Sequence, residues 1–146
     1  YLGRYVQVYT YFRTVEGRLK LRESSGGVSH LIPYMRANVK GPKSSSYQLI
    51  SIPEPQMVKR IFSHLLGVDT SVRKVRRVYL KGNMRIRLDA VSKLGNFIEF
   101  EAVIKKPSTT ARKRARQKVA LFMRRFGIKP AHLVRQSYRE LMKFGP

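Results

Sequence analysis

Three stretches of this chain switch between apolar and charged residues at every step, a period of two that only an extended strand with one dry and one polar face satisfies. From Gly17 to Glu23, Leu19 and Leu21 oppose Arg18, Lys20 and Arg22. At 84–89, Met84, Ile86 and Leu88 oppose Arg85, Arg87 and Asp89, and at 97–103 Ile98 and Phe100 oppose Glu99 and Glu101. A fourth run, Val6 to Phe12, is β-branched and aromatic. Shorter strands are predicted at 30–36, 47–52 and 72–81, between turn signals at Gly26-Gly27, Gly41-Pro42 and Gly82-Asn83. Whatever else the chain builds must accommodate strands that carry charge along one whole face.

Helical spacing is confined to three places. Pro53-Glu54-Pro55 opens a helix near 55–66 with an apolar stripe of Val58, Ile61, Phe62, Leu65 and Leu66, and Gly67 stands where a C-terminal cap belongs. Beyond Lys105-Lys106-Pro107, Ser108, Thr109 and Thr110 offer an N-cap, and Ala111, Ala115, Val119, Phe122 and Phe126 recur at helical spacing until Gly127. A further helix is predicted from Pro130, with Leu133, Val134, Ser137, Tyr138, Leu141 and Met142 on one face. Strands first and helices last predict an α+β fold. Residues 1–104 form the sheet domain with its inserted helix, and 105–146 form a basic helical segment. At 146 residues one ordinary core is expected.

Charge narrows the function classes. Lys and Arg number 31 against 8 Asp and Glu, a formal +23 that a compact domain holds only with counterions or a polyanion beside it. Residues 102–139 contain 12 Lys or Arg and no acid, and Arg73 to Arg87 contain seven and no acid. Arg112, Lys113, Arg114, Arg116, Lys118, Arg124 and Arg125, with Arg73, Lys74, Arg76 and Arg77 as a second anchor, are therefore predicted to contact RNA phosphates. A membrane-surface helix is less suitable, because the apolar stripe at 111–126 lacks Trp and is rich in Ala.

The absence of cysteine excludes disulfides, thiolate metal sites and a cysteine nucleophile. No stretch approaches about 20 apolar residues and no charged-then-apolar leader opens the chain, which predicts a protein not integral to a membrane. The first residue is Tyr1, so a targeting segment would already have been removed. His30, His64 and His132 lack metal-ligand spacing and receive no role, and no Walker loop, nucleophile elbow or kinase signature occurs. Tyr5, Tyr9, Tyr11 and Phe12 could stack on bases but suit a strand core better.

One ordered set of residues carries a resemblance. Gly17-Arg18-Leu19-Lys20-Leu21-Arg22-Glu23 is followed by Tyr34 and Arg36, then Gly41-Pro42-Lys43 and Tyr47. Further on come Lys74 and Arg76 before Tyr79, then Arg85-Ile86-Arg87-Leu88-Asp89, Val91, Leu94-Gly95, Phe97, Glu99 and Glu101. This set resembles the CYTH superfamily, which includes class IV adenylyl cyclases and thiamine triphosphatases. The likeness spans roughly 5–104 and, more loosely, Leu133-Val134, Ser137-Tyr138 and Leu141 near the end. It implies an antiparallel barrel, a triphosphate tunnel, in which the charged strand faces point inward. Lys20, Arg22, Arg36, Lys43, Lys74, Arg76 and Arg85 would then be triphosphate ligands, with Asp89, Glu99 and Glu101 on the metal side, holding Mg²⁺.

The departures from that pattern carry their own expectation. The family's first strand bears an alternating Glu-x-Glu-x-Lys, whereas this chain begins where the second strand belongs, which implies an incomplete or complemented barrel. The second strand commonly reads Gln-x-Asp-x-Tyr-Phe, and here Gln7-Val8-Tyr9-Thr10-Tyr11-Phe12 puts Tyr9 in place of the acid. The expectation is a domain without catalytic residues, Lys20, Arg22 and Arg85 being vestigial, that needs no cofactor. Its expected role is an RNA-binding structural component, with rRNA and neighbouring proteins as partners, in a mitochondrial or cytoplasmic ribonucleoprotein particle such as a ribosome. The alternative is a Mg²⁺-dependent triphosphatase or adenylyl cyclase-like enzyme.

Overall fold

The computed structural model describes residues 1–35 and 46–145. Its strands are β1 (Gly3–Phe12), β2 (Arg18–Ser24), β3 (Ser29–Met35), β4 (Ser46–Tyr47), β5 (Ile50–Ile52), β6 (Val68–Lys81), β7 (Met84–Val91) and β8 (Gly95–Ala102). They pair antiparallel in the order β4-β3-β2-β1-β6-β7-β8, with β5 also on β3. Among the described residues the sheet is not closed, as an incomplete barrel requires. The helices are α1 (Pro55–Leu66), α2 (Thr109–Arg125) and α3 (Tyr138–Phe144), and none is long and apolar enough to cross a membrane. The fold is α+β.

Register sorts the side chains. Residues directly opposite across a ladder share a face, so the pairs Tyr11↔Lys20, Gln7↔Lys74, Arg76↔Asp89, Arg87↔Glu99 and Arg85↔Glu101 put Lys20, Lys74, Arg76, Arg85 and Arg87 and the acids Asp89, Glu99 and Glu101 on one side. The other side carries the apolar residues that the helices back, with Arg4, Arg73 and Arg77 exposed along it. Phe12 packs edge-on against Phe62 of α1, with ring centroids 5.5 Å apart, and Phe100 meets Phe122 and Phe126 of the α2 end at 6.2 and 5.3 Å. Burying rings such as Phe12 and Phe122 contributes about 1.5–3 kcal/mol each, enough to dock an amphipathic helix. The charged face is covered from its far end by α3, where Tyr138 and Met142 close over Tyr9, Tyr11, Val72 and Val91.

The long helix predicted from Pro130 is corrected. Pro130–His132 form a single 3-10 turn, Leu133 has extended backbone, and α3 starts only at Tyr138. Ser137 caps it: its Oγ accepts from the backbone N–H of Glu140, and the Glu140 carboxylate accepts from the backbone N–H of Ser137 at 2.7 Å. The apolar residues at 133–142 thus serve two elements whose spacing imitates one helix.

Candidate functional site

Strand alternation delivers five cations, Lys20, Lys74, Arg76, Arg85 and Arg87, and three carboxylates, Asp89, Glu99 and Glu101, to the same face. Its deepest point is Asp89. Lys74 Nζ donates to Asp89 Oδ2 at 3.0 Å, Arg76 clasps both oxygens from Nε at 2.7 Å and Nη2 at 2.5 Å, and Tyr138 Oη donates to Oδ2 at 2.9 Å. Lys74 and Asp89 are each 2% exposed and Arg76 7%, so one carboxylate beneath two cations is sealed inside the protein. Towards the open end, Arg76 and Arg87 donate to Glu99 Oε2 at 2.9 and 3.5 Å. Arg87 also pairs with Glu101, and Arg85 approaches the same carboxylate at 3.5 Å.

Lys20 differs from the rest. Its ammonium lies 4.5 Å from the Tyr9 ring centroid and 4.7 Å from that of Tyr34, and among the described residues it forms no ion pair. Aromatic faces attract a cation but do not neutralise it. Burial brings the Lys20 ammonium down to about 8, although Tyr9 and Glu99 pull the other way. Burial works to raise the Tyr9 hydroxyl, yet Lys74, Arg76, Lys20 and Arg22 outweigh it and bring the group down to about 7. The site therefore carries a phenol with acid-like behaviour where the family pattern has a carboxylate. Burial would raise Asp89 and Glu99, but Arg76 and Lys74 overcome it and hold both carboxyls below the ordinary range. Tyr138 is pushed far upward by burial and by Glu99 and Asp89, so it remains a neutral donor to Asp89.

Of the three predicted metal-side acids, Asp89 has no oxygen left for a divalent ion as it stands, and Glu99 and Glu101 already pair with cations. Both oxygens of Asp89 are spent on Lys74, Arg76 and Tyr138, and Glu99 and Glu101 are tied to Arg76, Arg85 and Arg87. No cluster of three potential ligands occurs among the described residues. A metal needs free carboxylate oxygens, and here cations and Tyr138 take both oxygens of Asp89, while guanidinium groups take Oε2 of Glu99 and of Glu101.

The other predicted site residues divide by face. Lys20, Lys74, Arg76 and Arg85 come together as the resemblance implies. Arg22 sits at the margin, where its Nη2 lies 3.1 Å from His30 Nδ1; burial and the Arg22 charge lower the pKa of that imidazole, so the ring is neutral and accepts. Arg36 and Lys43 lie outside the described residues. Lys74 and Arg76, also predicted as RNA contacts, are corrected on that count: buried and bound to Asp89, they cannot reach an exterior polyanion, whereas Arg73 and Arg77 alternate outward and are exposed. The α2 residues Arg112, Lys113, Arg114, Arg116, Arg124 and Arg125 are exposed and Lys118 half-buried, all remote from Asp89 on the opposite side of the sheet.

Several contacts had no sequence signal. Tyr138 reaches Asp89 across 49 positions, Arg18 pairs with Glu140 at 2.7 Å across 122, and Asp69 takes both Arg139 and Lys143 of α3. Only the Ser137-x-x-Glu140 spacing, a capping box, could have placed the helix that carries them.

The family model described as CYTH domain matches residues 4–138. No curated protein matches in sequence. Solved structures of similar fold include the PH1012 protein of Pyrococcus horikoshii OT3, 21% identical at a TM-score of 0.83 over 96% of this chain and 84% of that one. The PH1819 protein of the same organism is 22% identical at 0.75, with the same coverage of each chain. A candidate adenylate cyclase from Vibrio parahaemolyticus is 22% identical at 0.75, over 96% of this chain and 80% of that one. At these identities the structures show a shared fold.

Proposed function

The chain belongs to the CYTH domain family, and from that membership we propose that its charged face binds a linear triphosphate, inorganic or carried by a nucleoside, and cleaves it. The observation that carries the proposal is Lys20, an ammonium held between aromatic rings that forms no ion pair with a carboxylate among the described residues. A phosphate oxygen would supply the missing counter-charge. Arg85, with its side chain 42% exposed, stands at the open end, while Arg87 and Arg76 extend the row of donors inward. Phosphoryl transfer asks little covalent chemistry of a protein and much positioning of cations around developing charge. A row of donors on rigid strands meets that need. The neighbouring fold described as a candidate adenylate cyclase is compatible with a nucleoside triphosphate. The ribosomal role expected from composition has no support in the fold or in these comparisons.

The test is release of phosphate from tripolyphosphate and turnover of ATP, each with and without Mg²⁺, beside calorimetric titration of tripolyphosphate. Turnover that falls about 100-fold or more in Lys20→Ala is expected, the usual loss for one donor aimed at transition-state charge. Binding without turnover would reject cleavage and leave a triphosphate-binding domain. The absence of both binding and turnover would reject the proposal outright.

A further inference from the structure

The charged face accounts for only part of the chain's cations. A second concentration lies on the helix-backed side, where the loop after β8 meets α2 around a cavity of about 380 Å³ lined by Lys105, Lys106, Arg114 and Lys118. Its floor is formed by Val103, Ala111 and Ala115, small enough to leave the space open, and Lys118 donates to Asn83 in the β6–β7 turn. Among the described residues none of these four cations forms an ion pair, whereas Arg76, Arg85 and Arg87 all do. Arg112, Lys113, Arg116, Arg124 and Arg125 continue the exposed surface along α2, and no acid occurs anywhere in 102–139 to offset them.

We infer that this cavity and the flank of α2 form a binding surface for the phosphate backbone of single-stranded RNA. Arg114 and Lys118 are one helical turn apart, about 6 Å along the axis, and Arg125 lies about two turns further on. Such a row suits a chain of regularly spaced phosphates better than a single small anion, which a pair of cations would satisfy. A lipid surface is disfavoured because the apolar side of α2 is largely packed, Phe122 being 6% exposed against Phe100, and the exposed Leu121 and Phe126 are too few to anchor a helix in a bilayer. Phe126, still 52% exposed at the end of α2 beside Arg124 and Arg125, offers a ring for base stacking, the other component of single-strand binding. Duplex is less suited, since a concave pocket and a stacking ring both need an unpaired strand. The inference does not rest on triphosphate cleavage, because the residues involved lie on the other side of the sheet.

Fluorescence anisotropy with a labelled single-stranded RNA bearing a 5′-hydroxyl tests it, since such an oligonucleotide brings no triphosphate to the charged face. The paired reversal Lys105→Glu and Lys118→Glu should lower affinity at least tenfold and reduce the slope of log K against log salt by about 1.4, two single-strand phosphate contacts. Arg13→Glu with Arg60→Glu makes the same charge change at exposed positions elsewhere and should cost no more than about threefold, and Lys20→Ala should leave RNA binding intact. Circular dichroism shows whether each variant is folded. Equal losses from the two paired reversals would mean that net charge alone holds RNA, and would overturn the surface. Wild-type protein that prefers phosphatidylserine vesicles or duplex DNA to the RNA would overturn it as well.

Discussion

Tyr9 stands where the family's second strand commonly carries an acid, and the cations around it give its hydroxyl some of an acid's character. Its pKa in the folded protein is about 7 against 10.0 ordinarily, and that of Lys20 is about 8 against 10.5. The unfolded chain binds more protons than the folded one at Tyr9 between about pH 7 and 10 and at Lys20 between about pH 8 and 10.5, so stability rises with pH across these windows and is lost again as pH falls through about 8 and then about 7. Urea denaturation at pH 7, 8.5 and 9.5 should show that rise. Tyr9→Phe should flatten it and remove the phenolate absorbance expected of the wild type near pH 8; a profile identical to wild type would mean that Tyr9 does not ionise there. Asp89 makes a second residue-scale prediction. Asp89→Asn preserves volume but leaves Lys74 and Arg76 buried without their shared counter-charge. Breaking a buried pair in this way costs about 3–5 kcal/mol, and because Glu99 still faces Arg76 the lower end is expected from denaturation curves.

Among the elements, α3 is held more by its ends than by its seven residues. A helix of that length does not persist alone, so its cap and its long-range pairs must fix it. Ser137→Ala removes the cap and the acceptor for Arg18 Nη1, 3.2 Å away at a residue only 3% exposed. A loss of about 1–2 kcal/mol is expected, with faster amide exchange confined to 138–144. Uniformly faster exchange would show that α3 does not open independently of the sheet.

The same helix marks where the sequence stopped being legible. The alternations at 17–23, 84–89 and 97–103 predicted β2, β7 and β8 closely, because a two-residue period is local and survives any tertiary setting. The run Arg73-Lys74-Val75-Arg76-Arg77 looked like one basic block, yet β6 splits it, sending Lys74 and Arg76 to Asp89 and Arg73 and Arg77 to solvent. Which side was interior could not be read from the strand itself, since both faces carry cations; only the resemblance pointed inward. Tyr138 and Arg18 were beyond reach for another reason. Their partners lie 49 and 122 positions away, and no periodicity encodes such a distance.

For the whole molecule the governing quantity is a formal charge of +23 on 146 residues, which opposes compaction unless anions gather on it. Screening by any salt relieves that repulsion, but a site relieves it only for the anion that fits. If the charged face takes a linear triphosphate, tripolyphosphate at 100 times its Kd stabilises the fold by about 2.7 kcal/mol. For a chain of this size that raises Tm by roughly 8 °C. Sodium chloride at matched ionic strength should give distinctly less. Lys20→Ala should lose the excess over sodium chloride, since the ligand's defining contact is gone, while the Lys105→Glu and Lys118→Glu pair should keep it, because those residues face away from Asp89. Differential scanning calorimetry with the four combinations of variant and salt decides the matter. A rise fully reproduced by sodium chloride would reduce the charged face to a screened surface, and a loss of the excess in the paired reversal alone would move the triphosphate to the cavity beside α2.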